Sequence, residues 1–471
     1  MHPSLLKCYH ALPPVLRNAA AGLRGWRLRR WRYGPETDSL VGSAVQRESW
    51  TENQWKAWQA DRLDLVLNRA ATLVPYYRRL WEQRRQQGDR SDWACLDNWP
   101  VLEKDAVRVN PRAFVADDCN TRRMFHEHTS GTSGTPLDLW WTRETVRSWY
   151  ALMEARWRLW YGVFRRDRWA VLGGQLVTPA TQRRPPFWVW NAAMQQLYMS
   201  SYHLAPDFIP HYVDALRRYR VRYLWGYTSA LYALAREMIR RNITDVKMAV
   251  VITNAEPVYA YQRDAIARAF HCPVRETYGM AEIVCAASEC ENGKLHLWPE
   301  VGFIEILDNG QPVAAGQAGD LVCTGLLNAD MPLIRYRLGD RAVAGDGEGA
   351  CPCGRTLPVL TSVEGRCDDV LYALDGRAIG RMDPIFKRQL PIQEAQIVQK
   401  DWTRIEVRYV PDSGFDQRSG DAITTEIRAR MGPVEVILTP VSELPRTSNG
   451  KFQAVICEIS KDQLQRHLGP R

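Results

Sequence analysis

The chain has 471 residues, of which 45% are hydrophobic and 24% charged, with a formal net charge of +9. That balance is ordinary for a soluble globular protein, and no apolar run approaches the roughly 18–20 residues of a membrane-spanning helix. The 11 cysteines, odd in number and scattered, exclude a secreted disulfide framework.

The first feature along the chain is basic. Arg17, Arg24, Arg27, Arg29, Arg30 and Arg32 cluster with Trp26 and Trp31 between them. Two readings stand: a solvated helix face, or peripheral contact with an anionic membrane. No nucleic-acid-binding motif accompanies the cluster, so nucleic acid is not expected as a partner. No apolar core follows Lys7, so no signal peptide is read and the expected compartment is the cytoplasm.

Residues 1–100 are predicted helical, with apolar residues spaced at three and four in Gln54–Leu67 and Ala70–Gln86. Pro75 is expected to turn or kink the second segment. Over residues 101–365 short apolar runs alternate with amphipathic stretches. Strands are predicted at Trp169–Leu172, Tyr223–Gly226, Met248–Thr253 and Val274–Tyr278, and helices at His211–Tyr219, Ala230–Arg241 and Tyr261–Phe270. Such alternation implies a mainly parallel sheet covered by helices. Gly302–Leu307, Asp320–Thr324 and Arg341–Ala344 suggest a small β subdomain. Residues 366–471 are predicted to form a third unit, with strands at Gln396–Gln399, Arg404–Tyr409 and Val434–Leu438 and a helix at Asp421–Met431. The expected fold class is α/β: a large N-terminal domain of mainly parallel sheets flanked by helices, with a small β subdomain, then a smaller α+β C-terminal domain.

Five motifs carry candidate chemistry. In Thr129-Ser130-Gly131-Thr132-Ser133-Gly134-Thr135-Pro136 small residues let the backbone approach an anion, and hydroxyls and N–H groups can donate to phosphate. The Gly-Lys-Ser/Thr ending of the kinase P-loop is absent, and the same composition suits a plain flexible loop. Glu276-Thr277-Tyr278-Gly279-Met280-Ala281-Glu282 follows a predicted strand, with a ring for a nucleobase and a hard carboxylate for Mg²⁺. Arg335-Tyr336-Arg337-Leu338-Gly339-Asp340 puts a carboxylate after a Gly turn, which suits two ribose hydroxyls. Glu364-Gly365-Arg366-Cys367-Asp368-Asp369 is the fourth. Leu444-Pro445-Arg446-Thr447-Ser448-Asn449-Gly450-Lys451 is the fifth, a lysine on a Gly-containing turn able to neutralise charge developing at an α-phosphate. Each also has a bland reading as a surface turn or loop.

In this order the five motifs resemble the adenylate-forming superfamily of acyl-CoA synthetases over roughly residues 100–460. Asn254-Ala255-Glu256-Pro257, the stretch from Tyr278 through Cys290 to His296, and Cys351-Pro352-Cys353-Gly354-Arg355 resemble the phenylacetate–CoA ligase branch. Residues 11–33, Tyr202-His203-Leu204 and Asn328 with Met331-Pro332-Leu333-Ile334 are similar to its capsular-polysaccharide-biosynthesis subgroup. The resemblance implies ATP-dependent activation of a small carboxylic acid to an acyl-adenylate with release of pyrophosphate. Acyl transfer follows, to a thiol of CoA or a carrier protein or to an amine. A non-catalytic, partner-binding homologue in polysaccharide assembly is the alternative. By motif, Thr129–Thr135 would bind pyrophosphate, Glu282 would hold Mg²⁺, and Ala255, Glu256, Pro257, Tyr278 and Gly279 would line the adenine pocket. Asp340 would bind ribose, Arg366 would meet ribose or phosphate, Lys451 would serve adenylation, and Asp368 would be the hinge of a mobile C-terminal domain. Two departures stand out: Leu137 follows Pro136 where many relatives carry lysine, and Leu371-Tyr372 follow the hinge where many carry Ile-Lys.

The acyl pocket is expected among residues 170–230 and near 253–280, with Trp188, Trp190, Tyr202, His203 and Tyr227 as its wall. Ordinary core packing is the competing reading for these aromatics. A structural Zn²⁺ is expected on Cys290, His296, Cys351 and Cys353, with Cys285 as a substitute ligand, because a closed sulfur and nitrogen tetrahedron suits that ion.

Overall fold

In the computed structural model the described residues are 3–129, 137–179, 181–256, 258, 260–308, 310–345, 351–364, 371–379, 382, 385, 390–411, 413–442, 444–445, 455–460 and 463. The chain opens with helices α1 (Pro3–Ala11), α2 (Pro14–Arg32), α3 (Thr37–Arg47), α4 (Glu52–Leu73), α5 (Pro75–Gln86) and α6 (Lys104–Val109). A reciprocal pair of bonds starts α4: the Gln54 N–H donates to Thr51 Oγ1 at 3.3 Å and the Thr51 N–H to Gln54 Oε1 at 2.8 Å. The expected kink at Pro75 is a clean break. Val74 ends α4 in an extended conformation and Pro75 opens α5, where its missing N–H costs nothing.

A hairpin follows, β1 (Phe125–His128) and β2 (Asp138–Trp141), then α7 (Arg143–Trp157). Next come β3 (Trp169–Gly173), β4 (Trp188–Asn191), β5 (Gln196–Ser200), α8 (Ile209–Tyr219), β6 (Tyr223–Tyr227), α9 (Thr228–Arg240), β7 (Val250–Asn254), α10 (Ala260–Phe270) and β8 (Val274–Gly279). The antiparallel elements are β9 (Ala286–Glu289), β10 (Leu295–Leu297), β11 (Gly302–Asp308), β12 (Gln311–Pro312), β13 (Ala318–Gly325), β14 (Tyr336–Ala344) and β15 (Val359–Glu364). Strands β5, β3, β6, β7 and β8 pair in parallel, in that order. The β-rich segment is not a separate sheet: β8 pairs antiparallel with β9, so both halves form one 13-stranded sheet. Val250, Val251 and Ile252 are buried on both faces of β7, which is why that strand reads as an unbroken apolar run.

One core joins the N-terminal helices and α7 to the antiparallel half, around the fully buried Trp81, Trp99 and Trp298. Glu300 ties these layers together, accepting from Arg156 Nη1 at 2.7 Å and from Arg47 Nε at 2.9 Å. A second core lies between the parallel strands and α8–α10. Strands β16 (Leu371–Tyr372) and β17 (Ala378–Ile379) form a small ribbon. They precede a four-stranded sheet of β18 (Ile392–Gln399), β19 (Arg404–Pro411), β20 (Glu435–Pro440) and β21 (Val455–Cys457) in the order β20-β19-β18-β21, with α11 (Gln417–Met431). This third core includes Tyr202 of the larger sheet region. Among the described residues no helix is long and apolar enough to cross a membrane.

Candidate active site

Three of the expected motifs meet at the carboxyl ends of the parallel strands, where ligands of open α/β sheets bind. Asn254-Ala255-Glu256 leaves β7, and Tyr278 and Gly279 end its neighbour β8. The Thr277 hydroxyl donates to the Thr253 carbonyl at 2.8 Å and locks the two strand ends together. The third motif arrives from β14. Arg341 pairs with Asp320 and Arg337 with Val322, so residues 338–340 bulge from the ladder, and Gly339 takes φ +82° there. Bulges of this kind re-aim a side chain beside a site. Here the bulge brings Asp340 to Tyr278, whose hydroxyl donates to Asp340 Oδ2 at 2.8 Å. Three strands separate β14 from β8 in the sheet. At ~4.8 Å per strand a flat sheet would hold them about 19 Å apart, so the contact requires the sheet to curl.

Glu282 lies just beyond β8, buried, with Oε1 2.9 Å from Lys104 Nζ and 3.2 Å from the Tyr336 hydroxyl. Lys104 is delivered by a local bridge. The Leu102 N–H donates to the Arg335 carbonyl at 2.9 Å and the Arg337 N–H to the Leu102 carbonyl at 3.0 Å, which starts α6 beside β14. No local pattern marks Lys104, a lone lysine 178 residues from its partner, and Tyr336 stands in the third motif with no role assigned to it from sequence. The sequence reading also missed the backbone. Ala255, Ile283 and Arg335 adopt φ of +66°, +48° and +46°. For a β-branched residue such as Ile283 this is an outlier. All three flank the converging motifs, where strained backbone is characteristic of functional sites.

Burial, then the neighbouring Glu289, pushes the Glu276 carboxyl up to about 7, against the opposing pull of Arg263. Glu289 itself accepts from Arg263 at 3.0 Å and from the Glu276 N–H at 2.7 Å. Thr129 closes the stem of the Ser/Thr/Gly loop: its N–H donates to the Leu137 carbonyl at 3.0 Å, and its hydroxyl oxygen accepts from the Leu137 N–H at 2.9 Å. Ser130, Gly131, Thr132, Ser133, Gly134 and Thr135, with Pro257, Arg366, Asp368 and Lys451, lie outside the described residues.

The aromatic wall divides. Tyr202 and Tyr227 both stand over Gly174, where an added Cβ would lie 3.2 Å from the Tyr202 hydroxyl and 3.2 Å from Tyr227 Cε2. The Tyr202 hydroxyl donates to the Gly174 carbonyl at 2.7 Å. His203 turns inward. It is fully buried, with Nδ1 2.9 Å from Ser200 Oγ and Nε2 3.0 Å from the Pro179 carbonyl, and it stacks on Phe187. Burial, then Arg377, lowers it to about 4. Both ring nitrogens are engaged, which is the geometry of a core histidine. Trp190 stacks on Tyr219 and Trp188 packs edge-on against Tyr212, also on the core side. Trp149 and Trp157 instead border Gly279, 3.7 and 3.8 Å from a Cβ placed there.

Cys290, His296, Cys351 and Cys353 converge, with all four ligand atoms within 4.8 Å of one another. Zinc–ligand bond lengths predict tetrahedral edges of about 3.8 Å between sulfurs and about 3.6 Å between sulfur and nitrogen. Cys290 Sγ lies 3.7 Å from Cys351 Sγ, and Cys353 Sγ lies 3.4 Å from His296 Nε2. His296 Nδ1 is 3.0 Å from the Leu357 carbonyl, which orients Nε2 toward the cluster. Cys285, the expected substitute, is elsewhere, against Cys323 in the core. A second group, His126, His128 and Asp138, sits on the exposed stem of the Ser/Thr/Gly loop.

A family model described as the CapK C-terminal domain matches residues 371–458. Protein CapK of Staphylococcus aureus is 24% identical over 457 residues, covering 96% of this chain and 99% of CapK. A phenylacetate-coenzyme A ligase of Thermus thermophilus is 25% identical, covering 90% of this chain and 99% of the ligase. The chain is thus similar to CapK and to the phenylacetate–CoA ligases over nearly its whole length, and residues 371–458 match the CapK C-terminal domain. The fold is shared with 2-hydroxyisobutyryl-CoA ligase. In complex with 2-HIB-AMP and CoA in its thioesterification state that ligase superposes with a TM-score of 0.55 at 20% identity, covering 90% of this chain and 93% of the ligase. In its postadenylation state the TM-score is 0.54 at 19% identity, covering 90% and 94%. The shared fold thus spans both the curled sheet and the C-terminal unit of this chain.

Proposed function

We propose that this protein activates a small carboxylic acid with ATP and transfers the acyl group to a thiol of CoA or a carrier protein, or to an amine. The observation that carries the reading is the meeting of Ala255, Glu256, Tyr278, Gly279 and Asp340 at one end of the sheet, joined by the 2.8 Å Tyr278–Asp340 bond. In this reading a carboxylate oxygen attacks the α-phosphorus of ATP, the bond to the β-phosphate breaks, and pyrophosphate leaves. The acceptor then attacks the acyl carbon and AMP leaves. Tyr278 and Gly279 lie against adenine, Asp340 accepts from the ribose hydroxyls, and Thr129–Thr135 holds the pyrophosphate. Arg366 meets ribose or phosphate. Lys451 neutralises charge at the α-phosphate. The buried carboxylate of Glu282 suits a hard cation and would hold Mg²⁺, whose charge offsets that of the phosphates.

In the same proposal residues 1–100 and 101–365 form the adenylation body. Residues 366–471 form a lid that rotates about Asp368 and exchanges Lys451 for the second half-reaction. The Cys290, His296, Cys351 and Cys353 cluster holds a structural Zn²⁺. A closed set has no open position for chemistry, so the metal braces the segment after Glu282. Tyr202 and Tyr227 over Gly174, with Trp149 and Trp157 beside Gly279, make an apolar, aromatic surround for the acid.

The test is pyrophosphate release across a panel of carboxylic acids, followed by mass spectrometry of the product with and without CoA. Lys451→Ala is the control. Loss of pyrophosphate exchange by about 10²–10³-fold or more is expected in the folded variant, the scale seen when one preorganised transition-state donor is removed. Exchange at the normal rate in Lys451→Ala, or an inert wild type across the panel, overturns the reading.

A further inference from the structure

The second helix is amphipathic in the reverse sense. A surface helix ordinarily turns its apolar stripe to the core. Apart from Trp31, which packs on Phe125 at the last turn, helix α2 turns polar and small residues inward. Arg17 Nη1 donates to Thr178 Oγ1 at 2.8 Å, and Asn18 Oδ1 accepts from the Trp190 N–H at 2.9 Å. Gly25 packs so closely on Asn191 that an added Cβ would fall 2.0 Å from its side-chain oxygen. The outward face carries Val15, Leu16, Leu23 and Trp26, exposed to 75%, 50%, 70% and 52%. With Ala19 they recur every three or four residues, which at 3.6 residues per turn aligns them in one stripe.

The stripe is set in one-signed charge. The first 35 residues contain Lys7 and six arginines and no acidic residue, so most of the chain's net charge of +9 lies there. Arg24, Arg27 and Arg30 are exposed on the outer side of the last turns, and the Arg30 guanidinium lies 4.7 Å from the centre of the Trp26 ring.

We propose that α2 is a membrane-surface helix that docks the protein, lying in the plane of an anionic lipid leaflet. Its aliphatic side chains and Trp26 enter the headgroup–acyl boundary, and its arginines meet lipid phosphates. A second copy of the chain fits poorly, since a two-fold contact sets the outward Arg24, Arg27 and Arg30 of one helix against those of the other. Nucleic acid would meet the arginines but has no use for exposed Val15, Leu16 and Leu23. The proposal does not depend on the reaction assigned to the sheet-edge site.

The experiment is co-sedimentation of the full-length protein with phosphatidylcholine vesicles, with and without a third of phosphatidylglycerol, at low and high salt. The double variant Leu23→Ser/Trp26→Ser and the triple variant Arg24→Gln/Arg27→Gln/Arg30→Gln are compared with wild type. Leu65→Ser, also at an exposed apolar position, is the control. Every altered side chain is exposed, and unchanged circular dichroism verifies folding. Wild type is expected to prefer anionic vesicles at least tenfold. The double variant should lose about tenfold or more in partitioning, and the triple variant about fivefold per arginine. The control should bind as wild type does. Absence of binding to anionic vesicles overturns the proposal. So does full binding by the double variant, which would mean adsorption of charge alone. A dimer that the double variant converts to monomer identifies a self-interface instead, and single-stranded DNA that binds in preference to vesicles identifies a nucleic-acid surface; either result also overturns it.

Discussion

Replacing Tyr278 with phenylalanine keeps the ring and removes only the oxygen that touches Asp340. Burial, reinforced by the adjacent Asp340 carboxylate, holds the Tyr278 hydroxyl far above its ordinary pKa, so it is a neutral donor across the working pH range. Hydrogen bonds to a charged group contribute about 1.5–3 kcal/mol. If that bond positions Asp340 for the ribose hydroxyls, its loss should weaken ATP binding by roughly ten- to 150-fold. Any stacking of adenine on the ring should survive. The assay is calorimetric Kd for ATP, paired with the KM for ATP in pyrophosphate exchange. We expect both to rise together while the KM for the acid stays near wild type and the fold persists. An unchanged Kd for ATP would refute the reasoning. So would a variant whose acid KM alone rises, since that would place Tyr278 in the acyl pocket.

Purified protein should carry about one equivalent of zinc, and both chelation and Cys353→Ser should lower its melting temperature. Less than half an equivalent, with no loss of stability in chelator, would sink that assignment. Glu282→Ala should lose Mg²⁺-dependent turnover and free Lys104 from its 2.9 Å partner; an unaltered Mg²⁺ titration would count against it. His203 has its folded pKa lowered to about 4, first by burial. Between about 4 and 6.5 the unfolded chain therefore binds the extra proton, and stability falls as pH drops through that window, by about 3 kcal/mol at full extent. His203→Gln should flatten the slope measured by denaturant melts, and an identical slope would remove His203 as its source.

Much of the fold is local and therefore legible in the chain. Strands β3, β6, β7 and β8 and helices α8–α10 fall within two residues of their predicted ends at nearly every boundary, because a buried parallel strand reads as an apolar run and its covering helix as a 3.6-residue period. The motifs themselves were also visible, as small residues, turns and lone carboxylates at fixed spacings. Their assembly was not. The Tyr278–Asp340 bond spans 62 residues and the Lys104–Glu282 pair 178. Both exist only because a 13-stranded sheet curls and β14 bulges, and twist accumulates over strands that no window of sequence contains. The same holds for side-chain direction. His203 sits in a polar Ser200-Ser201-Tyr202 run that suggested a pocket, yet both side chains are buried: His203 turns toward Phe187 and the Pro179 carbonyl, and Tyr202 packs on Gly174 and the third core. In α2 the composition announced the charge, but only the packing of Gly25 on Asn191 decided which face of the helix meets the protein and which is left outward.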